Sequence, residues 1–213
     1  MPITKKFCHK VCKGVVPCVT GRTHAAVGIA SAAVLSLILN VKCSYVFFIG
    51  AAIGSLTPDI DLNNSTISKY LNKVIIAMSV ILSIVLCVHL KPGIYNLQNH
   101  FISSGLFIIS MASLISRLTG HRMFSHSLLG FGAFSYGIYI LYRPIFAGFV
   151  VGYASHILID LLNYQGEALV FPFKGSYSFR LCKAGGIMDK SMLVISIVVL
   201  ITLMEKAKWS LQW

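Results

Sequence analysis

The side chains able to do chemistry in this chain are few and fall into four short groups. They are His24 in GRTHAAVG, Asp59 and Asp61 in SLTPDIDLNNS, His121, Arg122 and His126 in HRMFSHSLLG, and His156 and Asp160 in GYASHILID. His156 and Asp160 stand four apart, so on a helix they share a face and can point at one metal ion. The acids of PDID, two residues apart just past an apolar run, can both reach one ion from an extended or turn segment, or let one carboxylate bridge two. Imidazole and carboxylate together favour zinc, iron or manganese over calcium, and a set without cysteine fits a catalytic site with a position left open for water. An ion so held lowers the pKa of its water to about 7 and makes it a nucleophile. Ser65, Arg122, Ser125 and Ser127 are the neighbours suited to orienting ligands or holding an anion.

Each group has a plainer reading when taken alone. A histidine near a helix end, as His24 is, is commonly an interfacial hydrogen-bonded residue. An acidic pair after Pro58 often caps the next helix, and His126 followed by Ser127 can simply open one. Asp160 resists such a reading, because an acid preceded by SHILI near hydrocarbon depth needs a partner, water or a metal.

The elements that position these groups are apolar. Of 213 residues, 56% are hydrophobic and 11% charged, where a soluble domain carries about a quarter charged. Composition therefore predicts an all-α integral membrane protein of about seven transmembrane or re-entrant helices, on apolar runs at about 25–40, 44–57, 74–90, 101–118, 127–142, 145–162 and 187–204. The first two runs are short enough to form a re-entrant hairpin. A basic cytosolic arm (1–22), a helical membrane domain (23–205) and a short tail (206–213) make up the organisation, without internal repeats. The arm lacks a continuous apolar core and reads as retained. Its Cys8, His9, Cys12 and Cys18 match no common zinc spacing and read as reduced thiols.

Alternating the runs across the bilayer places Lys5, Lys6, Lys10, Lys13, Arg22, Lys69, Lys73, Arg117, Arg122, Lys174, Arg180, Lys183 and Lys190 on one side. Lys42, Lys91, Arg143, Lys206 and Lys208 fall on the other. The basic side is cytoplasmic by the positive-inside rule, and it holds the N-terminus and all four chemical groups. The net charge of +12 thus points to anionic lipid head groups, and nucleic acid is not an expected partner. The long connection at 163–186 reads as an irregular surface segment. Its Phe171, Phe173, Tyr177 and Phe179, interleaved with Lys174 and Arg180, form an interfacial aromatic belt or a cradle for a head group.

GRTHAAVG, GAAIGSLTPDIDLNNS, HRMFSHSLLG and GYASHILIDLLNYQGEALVFPF, in that order over about residues 20–190, closely resemble the YdjM-type family of membrane-bound metal-dependent hydrolases. Members of that family show TH, PDID with a following serine, HRG-TH-S, and GY-SH-x3-D before PF. The resemblance implies metal and active-site roles for His24, Asp59, Asp61, His121, His126, His156 and Asp160, accompanied by Arg122, Ser65 and Ser127. Asp61, Arg122, His126 and Asp160 are the ones expected to act in the reaction. Met123 stands where the family often has glycine and Ser125 where it has threonine, and Asp189 is the nearest match to an acid before the last helix. A fainter similarity, confined to H-x3-D, is to zinc-dependent phospholipase C and its nuclease relatives, and implies phosphoester hydrolysis at a multi-metal site.

The resulting expectation is a metal-dependent hydrolase in the inner membrane, with its site facing the cytoplasm. It would hold one to three zinc, manganese or iron ions and cleave a phosphoester of a membrane lipid or amphipathic metabolite. A transporter or channel for divalent metal or protons is the alternative. It requires polar residues continuing to the far side, where only His89, Asn99 and His100 are candidates. A purely structural metal is disfavoured, because seven candidate ligands exceed the four of a structural zinc.

Overall fold

Backbone N–H and C=O groups find no water inside a bilayer, so apolar runs that enter lipid must satisfy them within helices. The computed structural model describes residues 19–39, 44–61, 73–74, 76–84, 97–181 and 186–207, with backbone alone at 61, 97–100 and 204–207. Its helices are α1 (Gly21–Ile38), α2 (Tyr45–Leu56), α3 (residues 76–84), α4 (Leu97–Thr119), α5 (Leu128–Leu141), α6 (Arg143–Leu161) and α7 (Ile187–Ala207). A 3-10 turn occupies Pro58–Asp61. No strand occurs among the described residues, and an isolated antiparallel bridge joins Glu167 to Tyr177. Every helix lies on one of the seven apolar runs, and the chain is an all-α membrane bundle. Residues 1–18, with the cysteine-rich part of the arm, and Ser65 lie outside the described residues, as does most of the tail.

Gly21–Ile38, Phe101–Thr119 and Arg143–Leu161 are each long and apolar enough to cross a bilayer. With 12 and 14 residues, α2 and α5 fall short of the roughly 17 that a crossing requires. Of the first two runs, short enough for a re-entrant hairpin, α1 has the length to span and α2 does not.

Lipid gives helices no hydrophobic reason to associate, so they meet where small residues let backbones touch. GAAIG (50–54) on α2 and GFVVG (148–152) on α6 supply that surface. A Cβ at Gly54 would fall on the Phe149 carbonyl, and one at Gly152 on the Ala51 carbonyl. α1 joins the same seam, where a Cβ at Gly28 would lie 2.6 Å from that of Ser55. Further along, α5 and α6 close over a core of Phe124, Phe134, Ile138, Phe149, Tyr153 and Ile157. The buried Tyr153 ring meets Phe131 and Phe149 at 5.3 and 5.7 Å, while its hydroxyl donates to the Ser125 carbonyl at 2.6 Å. The core thereby grips the segment between α4 and α5.

The connection after α6 is irregular, as expected, but tied down. Ala168 N–H donates to the Arg122 carbonyl, Leu128 N–H to Leu169, Phe179 N–H to Leu161 and Leu181 N–H to Leu162. Phe171 meets Phe124 edge to face at 5.9 Å and so belongs with the core. Phe173, Tyr177 and Phe179 are exposed.

Gly152→Val is expected to destabilise the protein by about 1–3 kcal/mol through overpacking of the α2–α6 seam. Gly132→Ala, which meets nothing within 4 Å inside α5, should leave stability unchanged or raise it by up to about 1 kcal/mol. The thermal midpoint of the detergent-solubilised protein checks both.

Candidate metal centre

Four helix ends and one loop deliver the polar residues to a common point. His24 sits in the first turn of α1, and Asp59 in the 3-10 turn that follows α2. Pro58 lacks the N–H that would continue the helical ladder, and the chain tightens there, with Ile60 N–H donating to the Thr57 carbonyl at 3.1 Å. His156 and Asp160 occupy the last two turns of α6. His126 lies just before α5, whose N-cap is Ser127: its hydroxyl accepts from Gly130 N–H at 3.0 Å and donates to the Phe124 carbonyl at 2.7 Å. Ser127 thus shapes the helix start and leaves anion binding to others.

The side chains converge in a volume closed to solvent: His24, His126, His156 and Glu167 have 0% exposure and Asp160 1%. Asp160 is central. Its Oδ1 lies 3.4 Å from His24 Nε2, and its Oδ2 lies 3.5 and 3.8 Å from the Nε2 atoms of His126 and His156. Arg122 Nη2 stands 3.2 Å from Oδ2, and Asn163 Nδ2 donates to Oδ1 at 2.9 Å. Asp59 Oδ1 is 3.7 Å from His156 Nε2 and 3.9 Å from His126 Nε2, which also lies 3.9 Å from Glu167 Oε1.

Partners behind the rings decide which nitrogen faces inward. His156 Nδ1–H donates to the Ser55 carbonyl at 2.6 Å, so its Nε2 presents a lone pair to the cluster. Ser125 Oγ lies 3.1 Å from His126 Nδ1 and fixes the orientation of that ring, its hydroxyl able to accept from Nδ1–H or donate to Nδ1. The Nε2 atoms of His126 and His156 are 3.2 Å apart, close to the separation of about 3.3 Å for two nitrogens on one tetrahedral zinc. His24 stacks on His156 with centroids 3.8 Å apart.

These residues fit a divalent cation. His24 Nδ1 and both Glu167 oxygens are buried without a hydrogen-bond partner, a costly state that coordination would relieve. With neutral imidazoles and all three carboxyls ionised, as metal binding would require, Asp59, Asp160 and Glu167 against Arg122 leave two negative charges, enough to offset one divalent ion. Three ligand groups are formed: His24, His156 and Asp160; Asp59, His126 and His156; and His126, Asp160 and Glu167. An imidazole Nε2 has one lone pair, so the second group competes with the other two for its histidines. The first and third share only Asp160, whose two oxygens can serve two ions. These groups therefore hold two ions at most at one time.

Five of the seven residues expected from the sequence, His24, Asp59, His126, His156 and Asp160, come together in these groups. His121 lies against His126 edge to face at 5.0 Å and enters none of them. The side chain of Asp61 lies outside the described residues. Asp189 is buried elsewhere, its Oδ1 accepting from Thr20 N–H at 3.4 Å where α1 begins, so it steadies the helix that carries His24. Arg122, expected to hold an anion, is directed by its own chain: it adopts φ 66° and donates Nη1–H to the Gln165 carbonyl at 2.8 Å. Glu167 is the candidate ligand that the sequence motifs did not point to.

An all-helical membrane bundle that buries a histidine–carboxylate cluster suited to divalent metal is thus the class of protein that fold and site define. The model of the YdjM inner membrane protein family matches residues 19–213, and the chain belongs to that family. Similar curated proteins include the uncharacterized YvsG of Bacillus subtilis, 35% identical over 89 residues that cover 35% of this chain and 55% of that protein. They also include the inner membrane protein YdjM of Escherichia coli, 38% identical over 74 residues that cover 32% of this chain and 37% of that protein. The chain thus spans about half or less of the length of these relatives. No solved structure matches.

Burial pushes the Glu167 carboxyl up to about 9 from an ordinary 4.5, with the Asp160 carboxylate adding to the rise. Burial likewise raises Asp59, against the opposing pull of His24 and His126. Between those two Glu167 values the folded, metal-free chain keeps a proton that the unfolded chain has released, so stability falls as pH rises. After chelation, the thermal midpoint is expected to drop from about pH 5 to about pH 9, and to drop less steeply in Glu167→Gln. An unaltered slope in the variant would remove Glu167 as its source.

Proposed function

We propose that the protein is a metal-dependent hydrolase of the inner membrane that cleaves a phosphoester of a lipid or amphipathic substrate at the cytoplasmic face. The observation that carries this reading is the convergence on Asp160 of three histidines, two further carboxylates and one arginine, with buried ligand atoms that no hydrogen bond satisfies. Zinc, manganese or iron suits the donors, as one or two ions. When bound, such an ion polarises a phosphoryl oxygen and acidifies a water.

The remaining chemistry falls to the chain itself. Arg122, held at the edge of the ligand groups by Gln165, offers a guanidinium to the charge that develops on phosphoryl oxygens. Asp59, the least buried of the clustered carboxylates, receives the proton of the attacking water and returns it to the alkoxide that leaves as the P–O ester bond breaks. Ser125 and the Ser55 carbonyl keep His126 and His156 in their working orientations. The excess of basic residues on the side that holds these groups supports the cytoplasmic orientation. A site at the end of short helices such as α2 suits a substrate whose head group lies at the surface while its tails stay in lipid.

Elemental analysis of the purified, detergent-solubilised protein is expected to find one or two zinc, manganese or iron ions per chain, and none in Asp160→Ala, with membrane insertion unchanged. Ser125→Ala should weaken metal affinity by about 10–100-fold through loss of the His126 orientation. Phosphate release from micellar lipid phosphoesters should follow metal content across Asp59→Ala, Asp61→Ala and Asp160→Ala. Full metal content in Asp160→Ala would sink the site assignment. Metal binding with uptake into proteoliposomes and no hydrolysis would replace the reading with transport.

A further inference from the structure

Outside the metal centre, a groove of about 640 Å³ runs between α3 and α4, a size within the usual range of about 300–1,000 Å³ for ligand sites. Its walls are aliphatic along their length: Ile76, Ala77 and Val80 on α3 face Leu114 and Leu118 on α4. The charged lining is confined to one end, where Lys73 precedes α3 and Arg117 lies in the last turn of α4. An apolar slot with cations only at its mouth matches a molecule with one long apolar part and one anionic end. We propose that the groove binds an anionic phospholipid of the cytoplasmic leaflet, with an acyl chain along α3 and α4 and the phosphate between Lys73 and Arg117.

Position and charge both argue for that occupant. Lys73 and Arg117 sit together at one end of the groove, and basic pockets between membrane helices hold anionic lipid head groups. A soluble anion would gain nothing from the aliphatic walls, and a zwitterionic lipid would bring a second cation to a cationic mouth. The site also touches the metal centre. Arg117 Nη2–H donates to the Ile60 carbonyl at 2.9 Å, one residue from Asp59, so lipid phosphate at Arg117 sits against the back of the turn that presents a metal ligand. Lipid binding here requires neither metal nor hydrolysis, and its failure would leave the hydrolase reading untouched.

Native mass spectrometry of the full chain, in micelles doped with equimolar phosphatidylglycerol and phosphatidylcholine, tests the proposal. The wild type should carry one retained phosphatidylglycerol in preference to phosphatidylcholine. Lys73→Gln should reduce its retention about fivefold, and Lys73→Gln with Arg117→Gln about thirtyfold. Ala77→Trp, which fills the slot and leaves the cations in place, should also abolish retention. Because Arg117→Gln breaks the bond to Ile60, the Lys73 and Ala77 variants carry the decision, with a wild-type thermal midpoint as the control for folding. Equal retention of both lipids, retention that survives Ala77→Trp, or no retained lipid at all would each overturn the proposal.

Discussion

The Asp160 carboxylate governs the arrangement of everything around it. An ionised side chain 1% exposed at the end of a membrane helix is tolerated only among groups that offset its charge. Here those groups arrive from every side: His24 from α1, Arg122 and His126 from the segment before α5, His156 from one turn earlier on α6, and Asn163 from just beyond it. Removing any one of them leaves a buried charge less compensated, so the site and the packing of its helix ends stand or fall together. The same carboxylate, with its two oxygens turned toward different histidines, makes a two-ion arrangement geometrically available.

Such convergence needs helices at backbone contact. Ser55 reaches His156 with its main-chain carbonyl, and a carbonyl can do that only if α2 lies directly against α6. Gly54 and Gly152 make this possible, since a Cβ at either would collide with the opposing backbone. The glycine seam is therefore part of the metal centre in a chemical sense: it sets the proton position on His156, which in turn exposes the lone pair of Nε2. At the opposite flank Tyr153 does comparable duty, its hydroxyl holding the Ser125 carbonyl while the Ser125 hydroxyl faces His126.

Much of this was legible in the sequence for a simple reason. Polar residues are so scarce in an apolar chain that their places at the ends of its runs mark them out as one set. That reasoning located α1 through α7 and gathered His24, Asp59, His126, His156 and Asp160. It could not separate Ser127, a helix cap, from Ser125, a partner of His126, because both stand beside the same histidine and differ only in which backbone atoms they meet. Glu167 escaped because a lone acid in an irregular loop has no periodicity. The signal that would have found it is scarcity itself: it is one of six acids in the chain, and its loop is fastened to Arg122 by the Ala168 N–H. The motifs GAAIG and GFVVG were in view as well, but their meaning depends on which helices pair, and sequence spacing alone does not say so.

Polar residues inside the described helices are largely satisfied within those helices, while the far-side candidates His89, Asn99 and His100 lie outside the described side chains. Ser36, Ser113, Ser116 and Ser196 each donate to a carbonyl three or four residues earlier on their own helix. A hydroxyl spent in this way stabilises its helix and offers little to a passing ion. A hydroxyl-to-hydroxyl bond does cross between helices, from Ser110 to Ser79, yet both belong to the α3–α4 pair whose groove is lined by aliphatic side chains. Among the described residues, ligand groups suited to metal form only at the end of the bundle that holds Asp160. An ion bound there would have carboxylates and imidazoles gathered around it from four helix ends and one loop.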